Sequence, residues 1–373
     1  MAREPEPFEV PEPRVNPHLI GHEAAEKDYL AAWSSGRLAH AWLICGPRGI
    51  GKATLAHRMA RCALKQGGKD DGASDMFGAP PPPTSLQMSA EDPLFRRIAA
   101  GGHGDLRVVE RGWSDNKQIK RKTVITVDDV REIGGFMSMT PAEGGWRTVI
   151  IDAADEMNAN AANAVLKVLE EPPRRAILFL VAHNPDRLLP TIRSRCRRLE
   201  LRPLTPAQVT LLLGRYRPDL KPADVSALTV LADGSVGRAI ELSDEGGVTL
   251  FRELMTLLTD APRLNITRLH ALSDKVLRGD AFRTLTGLLT WWLARIVTES
   301  ARGGLEGLAE IVPGERDLAR KLMAGASPAA WAEVWDKIGH IARRTDAVNL
   351  DKKRSLMLML MAVESAALPG KAA

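Results

Sequence analysis

The sequence predicts an α/β domain built on a parallel sheet with helices on both faces, followed by two all-helical domains. Three observations carry that prediction. Strand-length apolar runs alternate with helix-length segments up to about residue 202, the rhythm of a wrapped parallel sheet. A Gly-x-x-x-x-Gly-Lys loop at 46–52 follows the first of those runs and opens a helix. Past Arg202-Pro203-Leu204-Thr205-Pro206 the strand signals nearly vanish.

Residues 1–17 hold five prolines among mixed charges and read as an extended arm. The α/β domain is expected over 18–202. It opens with a helical pattern at 19–34, then His40-Ala41-Trp42-Leu43 leads a buried strand into the loop, and Leu55, Met59, Ala60 and Ala63 continue at helical spacing. The stretch 67–83, with its Gly, Asp, Ser and a run of four prolines, is expected to be a flexible insertion. A second strand fits 105–110. The basic residues Lys117, Lys120, Arg121 and Lys122 after it suit either a solvated loop tip or contact with a nucleic-acid backbone. Residues 124–127 are strand-like, and Asp128-Asp129-Val130-Arg131 reads as the start of a helix reaching Met139, broken by Pro141 and Gly144-Gly145. Arg147-Thr148-Val149-Ile150-Ile151-Asp152 reads as a buried strand ending in a carboxylate. A helix at 160–171 stops at Pro172-Pro173, and 176–182 is an unbroken apolar run. A small helical domain is expected over 203–245 and a helical bundle over 246–373, including helices at 282–297 and 353–367.

Composition bounds the possibilities. A chain of 373 residues exceeds one ordinary core, and 45% apolar with 26% charged residues is the make-up of a globular protein. Lys and Arg outnumber Asp and Glu by 51 to 46, which is compatible with an acidic partner without specifying one. Cys45, Cys62 and Cys196 lack any CxxC spacing, which argues against a disulfide framework or a zinc site and for a reducing compartment. The first residues lack the apolar core of a signal peptide and no apolar run approaches a membrane span, so a cytoplasmic location is expected.

The chemistry concentrates in the loop. Gly46, Gly49 and Gly51 let backbone N–H groups curl around a phosphate, the following helix presents its positive end, and Lys52 can reach the outer phosphates. The next position should carry the hydroxyl that holds Mg²⁺, and it is Ala53. Thr54, one residue on, points about 100° away on a helix. Asp152, closing an apolar strand, stands where a nucleoside-triphosphate site keeps its Mg²⁺-orienting carboxylate. Its neighbour is Ala153, where a hydrolysing enzyme commonly carries a water-polarising Glu; Asp155 and Glu156 come past the strand end. The loop is built to hold phosphate and poorly built to cleave it.

Ser194-Arg195-Cys196 after Pro190-Thr191-Ile192-Arg193, together with Asn163-Ala164-Val165-Leu166-Lys167-Val168-Leu169-Glu170-Glu171-Pro172-Pro173, resembles the AAA+ clamp-loader family of DNA replication. His40-Ala41-Trp42-Leu43, the loop and Gly234-Ser235-Val236-Gly237-Arg238 extend that likeness over about the first 240 residues, and Asn349-Leu350-Asp351 is similar to the family's collar. The resemblance implies a P-loop AAA+ domain, a lid at 203–245 and a collar at 246–373. It further implies a five-membered ring with motor (gamma/tau) and delta subunits, which loads a sliding clamp on primed DNA. In that ring a neighbour donates the Arg of Ser-Arg-Cys into each nucleotide site, so Arg195 would act in trans, an effect worth about 10³ to 10⁵ in rate. Arg238 falls where the family places a nucleotide-sensing Arg, or else is structural. The family's polar sensing residue falls at His183 or Asn184. Many relatives carry a four-cysteine zinc module that this chain lacks, so no zinc is expected. With Ala53 and Ala153, the resemblance points to a stator that holds ATP or ADP without hydrolysis. The rival is a motor that hydrolyses in cis with Lys52 and Asp152; a third reading is a nucleic-acid adaptor working through 117–122 and 193–198. Trp291, Trp292, Trp331, Trp335, Met357, Met359 and Met361, at helical spacing, are expected in cores and interfaces.

Overall fold

The computed structural model describes residues 10–67, 82–113, 122–143, 145–277 and 280–368. The expected arm and insertion fall in large part, and Lys117, Lys120 and Arg121 wholly, outside them. Contacts gather the chain into two compact units, Met1–Gln208 and Val209–Ala373.

The first unit runs α1 (Glu23–Ser34), β1 (Ala41–Cys45), α2 (Lys52–Gly67), α3 (Pro93–Ala99), β2 (Leu106–Val109), α4 (Val127–Val130), α5 (Ile133–Ser138) and β3 (Arg147–Asp152). It continues with α6 (Ala159–Glu170), β4 (Ala176–Ala182), α7 (Pro190–Arg193) and β5 (Arg197–Glu200). The five strands pair in parallel in the order β2-β3-β4-β1-β5. This is the fold class that the alternating pattern predicts. Every residue of β1 and β4 is buried, because helices cover the sheet on both sides. One face packs Leu43, Val149, Ile151, Leu178 and Leu180 against α6, and the other packs Trp42, Ile44, Ile150 and Phe179 against α1 and α2. Parallel strands end together on one side of the sheet, so the loop after β1 and the carboxylate that ends β3 come out on the same edge.

Several expected elements are redrawn. Residues 124–127 make no strand: Ile125 forms a single bridge to Met157, and the backbone turns helical at Val127. The reason is local, since the Asp129 carboxylate accepts the Thr126 N–H at 2.7 Å and starts a helix there. The single helix expected as far as Met139 is two, α4 and α5, with Gly134-Gly135 lowering the helical preference of the second. Helix α1 begins at Glu23 rather than near Leu19. Strand β5 and helix α3 went unpredicted, β5 because Leu199 is its only buried residue.

The second unit is helical throughout: α8 (Pro206–Tyr216), α9 (Pro222–Leu231), α10 (Val236–Asp244), α11 (Gly247–Leu258) and α12 (Ile266–Lys275), then α13 (Ala281–Ala301), α14 (Glu315–Gly325), α15 (Pro328–Val348) and α16 (Lys352–Ala367). The Asn349-Leu350-Asp351 signature is a corner. Asn349 ends α15 in the left-handed conformation, and the Asp351 carboxylate caps α16 by accepting the Arg354 N–H at 2.7 Å. Trp292, Trp331 and Met359 are fully buried, whereas Trp335 is 41% and Met361 52% exposed, so only part of that aromatic and Met set is core.

A buried carboxylate pins this unit. Glu315, with no side-chain exposure, accepts from the Trp292 indole at 2.9 Å and from the Ile311 N–H at 2.7 Å, with the Arg295 guanidinium 3.5 Å away. Replacing it by Ala strands those donors away from water. Glu315→Ala is expected to lower the unfolding free energy by about 3 kcal/mol, read as a lower urea midpoint, and Glu315→Gln to recover part of the loss by keeping one carbonyl acceptor.

Candidate nucleotide site

The loop is gripped from both sides. Gly46 sits at φ 146°, where a Cβ would lie 2.5 Å from the Leu201 carbonyl oxygen, and a Cβ on Gly51 (φ 104°) would lie 2.8 Å from Leu19 Cδ1. No side chain fits at either place without moving backbone or core. The imidazole of His22 donates from Nε2 to the Ile50 carbonyl at 2.6 Å, and burial lowers its pKa. The segment that delivers His22 is itself held by cations on α2. Arg58 donates to the Pro17 carbonyl and the Glu26 carboxylate, each at 2.6 Å, and Arg61 to the Asn16 carbonyl at 3.1 Å.

Lys52 is 3% exposed. Its ammonium donates to the carbonyls of Gly46 at 2.7 Å and Pro47 at 2.5 Å, so the cation folds back onto its own loop. Burial pulls its pKa down to about 8, against the opposing charges of Asp152 and Asp155. Asp152 moves the other way, to about 6, because burial and the nearby Glu110 disfavour its carboxylate more than Lys52 favours it. Asp155 holds the strand ends together: its carboxylate accepts the N–H of His183 at 3.0 Å and of Asn184 at 2.8 Å, joining the turn after β3 to the end of β4. The Asn184 amide is used locally, its oxygen accepting the Asp186 N–H at 3.2 Å. The ring of His183 lies in the field of the loop; burial and then the Lys52 charge lower its pKa to about 4.

Gly46, Gly49, Gly51 and Lys52 share one loop, and Asp152 lies near enough to Lys52 for their charges to interact. Ala53 puts a methyl where a metal-binding hydroxyl belongs, Ala153 is buried beside Asp152, and Thr54 is buried on α2. Positions 53 and 153 therefore offer neither a hydroxyl nor a carboxylate to the site. Sequence reasoning missed Asp155, whose role depends on which strand lies beside β3, and His22, which carries no motif at all.

Arg195 follows α7 and leans on α6. Its guanidinium donates to the Thr191 carbonyl at 3.0 Å and pairs with Glu170 at 3.1 Å, with 37% of the side chain exposed. Arg238, at the Ser235-capped start of α10, lies over the Trp291 ring at 5.7 Å, with Arg295 5.3 Å from the same ring. Among the described residues no cluster of three or more His, Cys, Asp or Glu is placed to hold a metal ion, and no helix is long and apolar enough to cross a membrane.

A parallel sheet with a Gly-x-x-x-x-Gly-Lys loop after β1 and a carboxylate closing β3 is the arrangement of a P-loop α/β domain. Residues 21–205 match the family described as DNA polymerase III, delta subunit. The chain is 37% identical over 221 residues to the DNA polymerase III subunit delta-prime of Pseudomonas aeruginosa, covering 58% of this chain and 60% of that one. It is 32% identical over 232 residues to the delta-prime subunit of Bacillus subtilis, covering 62% and 59%. To the gamma/tau subunit of Mycobacterium tuberculosis it is 30% identical over 202 residues, covering 53% of this chain and 30% of that subunit. The match therefore spans about 60% of the length of the two delta-prime relatives and less than a third of the gamma/tau relative. A DNA polymerase III gamma subunit-related protein from Thermotoga maritima, of known structure, covers 93% of this chain and 99% of its own at 19% identity and a TM-score of 0.40. Over about half of its length, then, the chain is similar to DNA polymerase III subunits.

The buried charges fix how stability should respond to pH. Asp152 holds its proton up to about pH 6 when folded, against an ordinary value of 3.8, so between those values the folded chain binds more protons than the unfolded one. Stability contributed here is therefore present below pH 3.8 and lost as pH rises to about 6. Urea titrations of Asp152→Asn should show a smaller fall in midpoint than wild type between pH 4 and about pH 6.5, and an equal fall would overturn the assignment.

Proposed function

We propose that the chain is the delta-prime, stator subunit of a DNA polymerase III clamp loader, a non-hydrolysing AAA+ protein that supplies Arg195 in trans to a neighbouring motor subunit. The observation that carries this reading is the contrast within one site. The backbone of the phosphate loop is fully formed, yet Ala53 and Ala153 stand at the two positions where hydrolysis needs a hydroxyl and a carboxylate. The delta-prime relatives share more identity with this chain than the gamma/tau relative described above, in keeping with a stator rather than a motor.

In this reading the ring holds motor (gamma/tau) and delta subunits beside this chain, acts on the sliding clamp at primed DNA, and works in the cytoplasm. The second unit divides into a lid over 203–245 and a collar over 246–373 that holds the ring together. ATP or ADP is retained, if bound, without turnover. Arg195 suits a donated guanidinium because its partner Glu170 is itself 50% exposed. An ion pair that wet contributes about 0–1 kcal/mol, so the phosphates of a nucleotide in a neighbour can take the guanidinium over at little cost. Arg238, stacked on Trp291, serves to seat α10 rather than to sense nucleotide.

The test is ATP turnover with Mg²⁺, first for the chain alone and then mixed with its motor and delta partners. The chain alone should be silent. The mixture should turn over ATP, and Arg195→Ala should cut that rate by about 10³ while the complex still elutes as one species. Turnover by the isolated chain that Lys52→Ala abolishes would establish the motor reading instead.

A further inference from the structure

Away from the phosphate loop, the sheet ends at β5, and no strand of the described residues lies beyond it. Next to that edge is an open cleft of about 340 Å³ lined by Leu43, Pro190, Arg193, Ser194 and Arg198. Leu43 is paired with Arg198 across β1 and β5, so both side chains leave the sheet on the same face. Leu43, buried in the core, is the floor and Pro190 the apolar wall; Arg193 and Arg198 supply two guanidinium forks.

Both forks are only loosely committed. Arg193 pairs with Asp186 at 2.6 Å and Arg198 with Glu200 at 2.7 Å, but those carboxylates are 85% and 70% exposed. Pairs so open to water add little to stability and exchange readily for another carboxylate. We propose that this cleft is a docking site for an extended segment of a partner protein that carries a carboxylate and an apolar side chain two residues apart. The guanidinium fork matches a carboxylate in two parallel hydrogen bonds, which sets the charge of the occupant. The edge of β5, with which no described strand pairs, sets its conformation, since an added strand is the mode that such an edge accepts. In that conformation residues two apart share a face, so the acid reaches the arginines while the apolar side chain meets Pro190.

A nucleic acid fits the same place less well. No aromatic side chain lines the cleft for base stacking, Arg195 is engaged by Glu170, and Arg197 lies 4.8 Å from the Trp42 ring centroid. Docking here uses neither Arg195 nor the phosphate loop, so it stands or falls apart from the stator reading.

The test uses the full chain and three fluorescein-labelled probes: the peptide Ser-Glu-Thr-Leu-Thr-Ser, the same peptide with Lys for Glu, and an oligothymidylate. Fluorescence anisotropy should show the acidic peptide bound more tightly than its Lys counterpart. The double variant Arg193→Ala, Arg198→Ala should weaken it about tenfold or more, the worth of one charge-assisted hydrogen bond, and Arg195→Ala should leave it unchanged. Arg193→Glu should turn the preference toward the Lys peptide, which a misfolded variant could not do. The proposal is overturned by equal binding of the two peptides to wild type, or by a double variant that binds like wild type. Tighter binding of the oligothymidylate, lost in the same double variant, would overturn it in favour of a nucleic-acid surface.

Discussion

Lys52 brings a cation into a place where only 3% of its surface meets water, and the arrangement around the loop answers to that charge. Two carbonyls of the loop itself, Gly46 and Pro47, accept its protons. Asp152 and Asp155 lie near enough to offset the desolvation that pulls its pKa down to about 8. Burial, and after it the Lys52 charge, keeps the His183 imidazole neutral down to about pH 4. Asp155 in turn can face Lys52 only because two backbone N–H groups at the end of β4 hold its carboxylate. A charge placed by a sequence motif is thus balanced by groups that only the sheet order brings together.

That division explains what could be read from the sequence. The strands β1, β3 and β4 were legible because both of their faces are covered, which demands apolar residues throughout β1 and β4 and at Val149, Ile150 and Ile151 of β3. Strand β5 was not, since Arg197, Arg198 and Glu200 are exposed on an edge and only Leu199 is buried. The loop announced itself through the spacing of Gly46, Gly51 and Lys52, a purely local pattern. Asp155 and His22 had no such pattern: one acts on a residue 28 positions away and the other reaches across the same separation. The start of a helix at Val127, in place of a strand, turned on one side chain, Asp129, closing on the Thr126 N–H instead of solvent.

Arg195 and the cleft beside β5 follow one physical rule with different outcomes. Arginines in this region are paired, but with carboxylates open to water: Glu170, Asp186 and Glu200. Such pairs orient a guanidinium without committing it, because the Coulomb gain in water is small and a better anion can replace the partner. By contrast Arg58, with 6% side-chain exposure, donates to a carboxylate and a backbone carbonyl and is fixed in place. The surface that can exchange partners and the framework that cannot are therefore distinguished by burial, not by residue type.

The loop glycines and the loop lysine carry different information about nucleotide. Gly46 is required by packing alone, since a Cβ there would strike the Leu201 carbonyl whether or not a phosphate ever binds. A chain that had lost its ligand would still keep that glycine to keep its fold. Lys52 is another matter, because a buried ammonium is costly and a methionine of similar volume would avoid the cost. The two loop carbonyls that it satisfies also face the loop interior, and water could serve them as well. Retention of Lys52 beside the absent hydroxyl at Ala53 and the absent carboxylate at Ala153 fits a site whose remaining task is to hold an anion. In the proposed reading, holding an anion draws only on a cation and backbone N–H groups, whereas cleavage would draw on a hydroxyl at position 53 and a carboxylate at position 153.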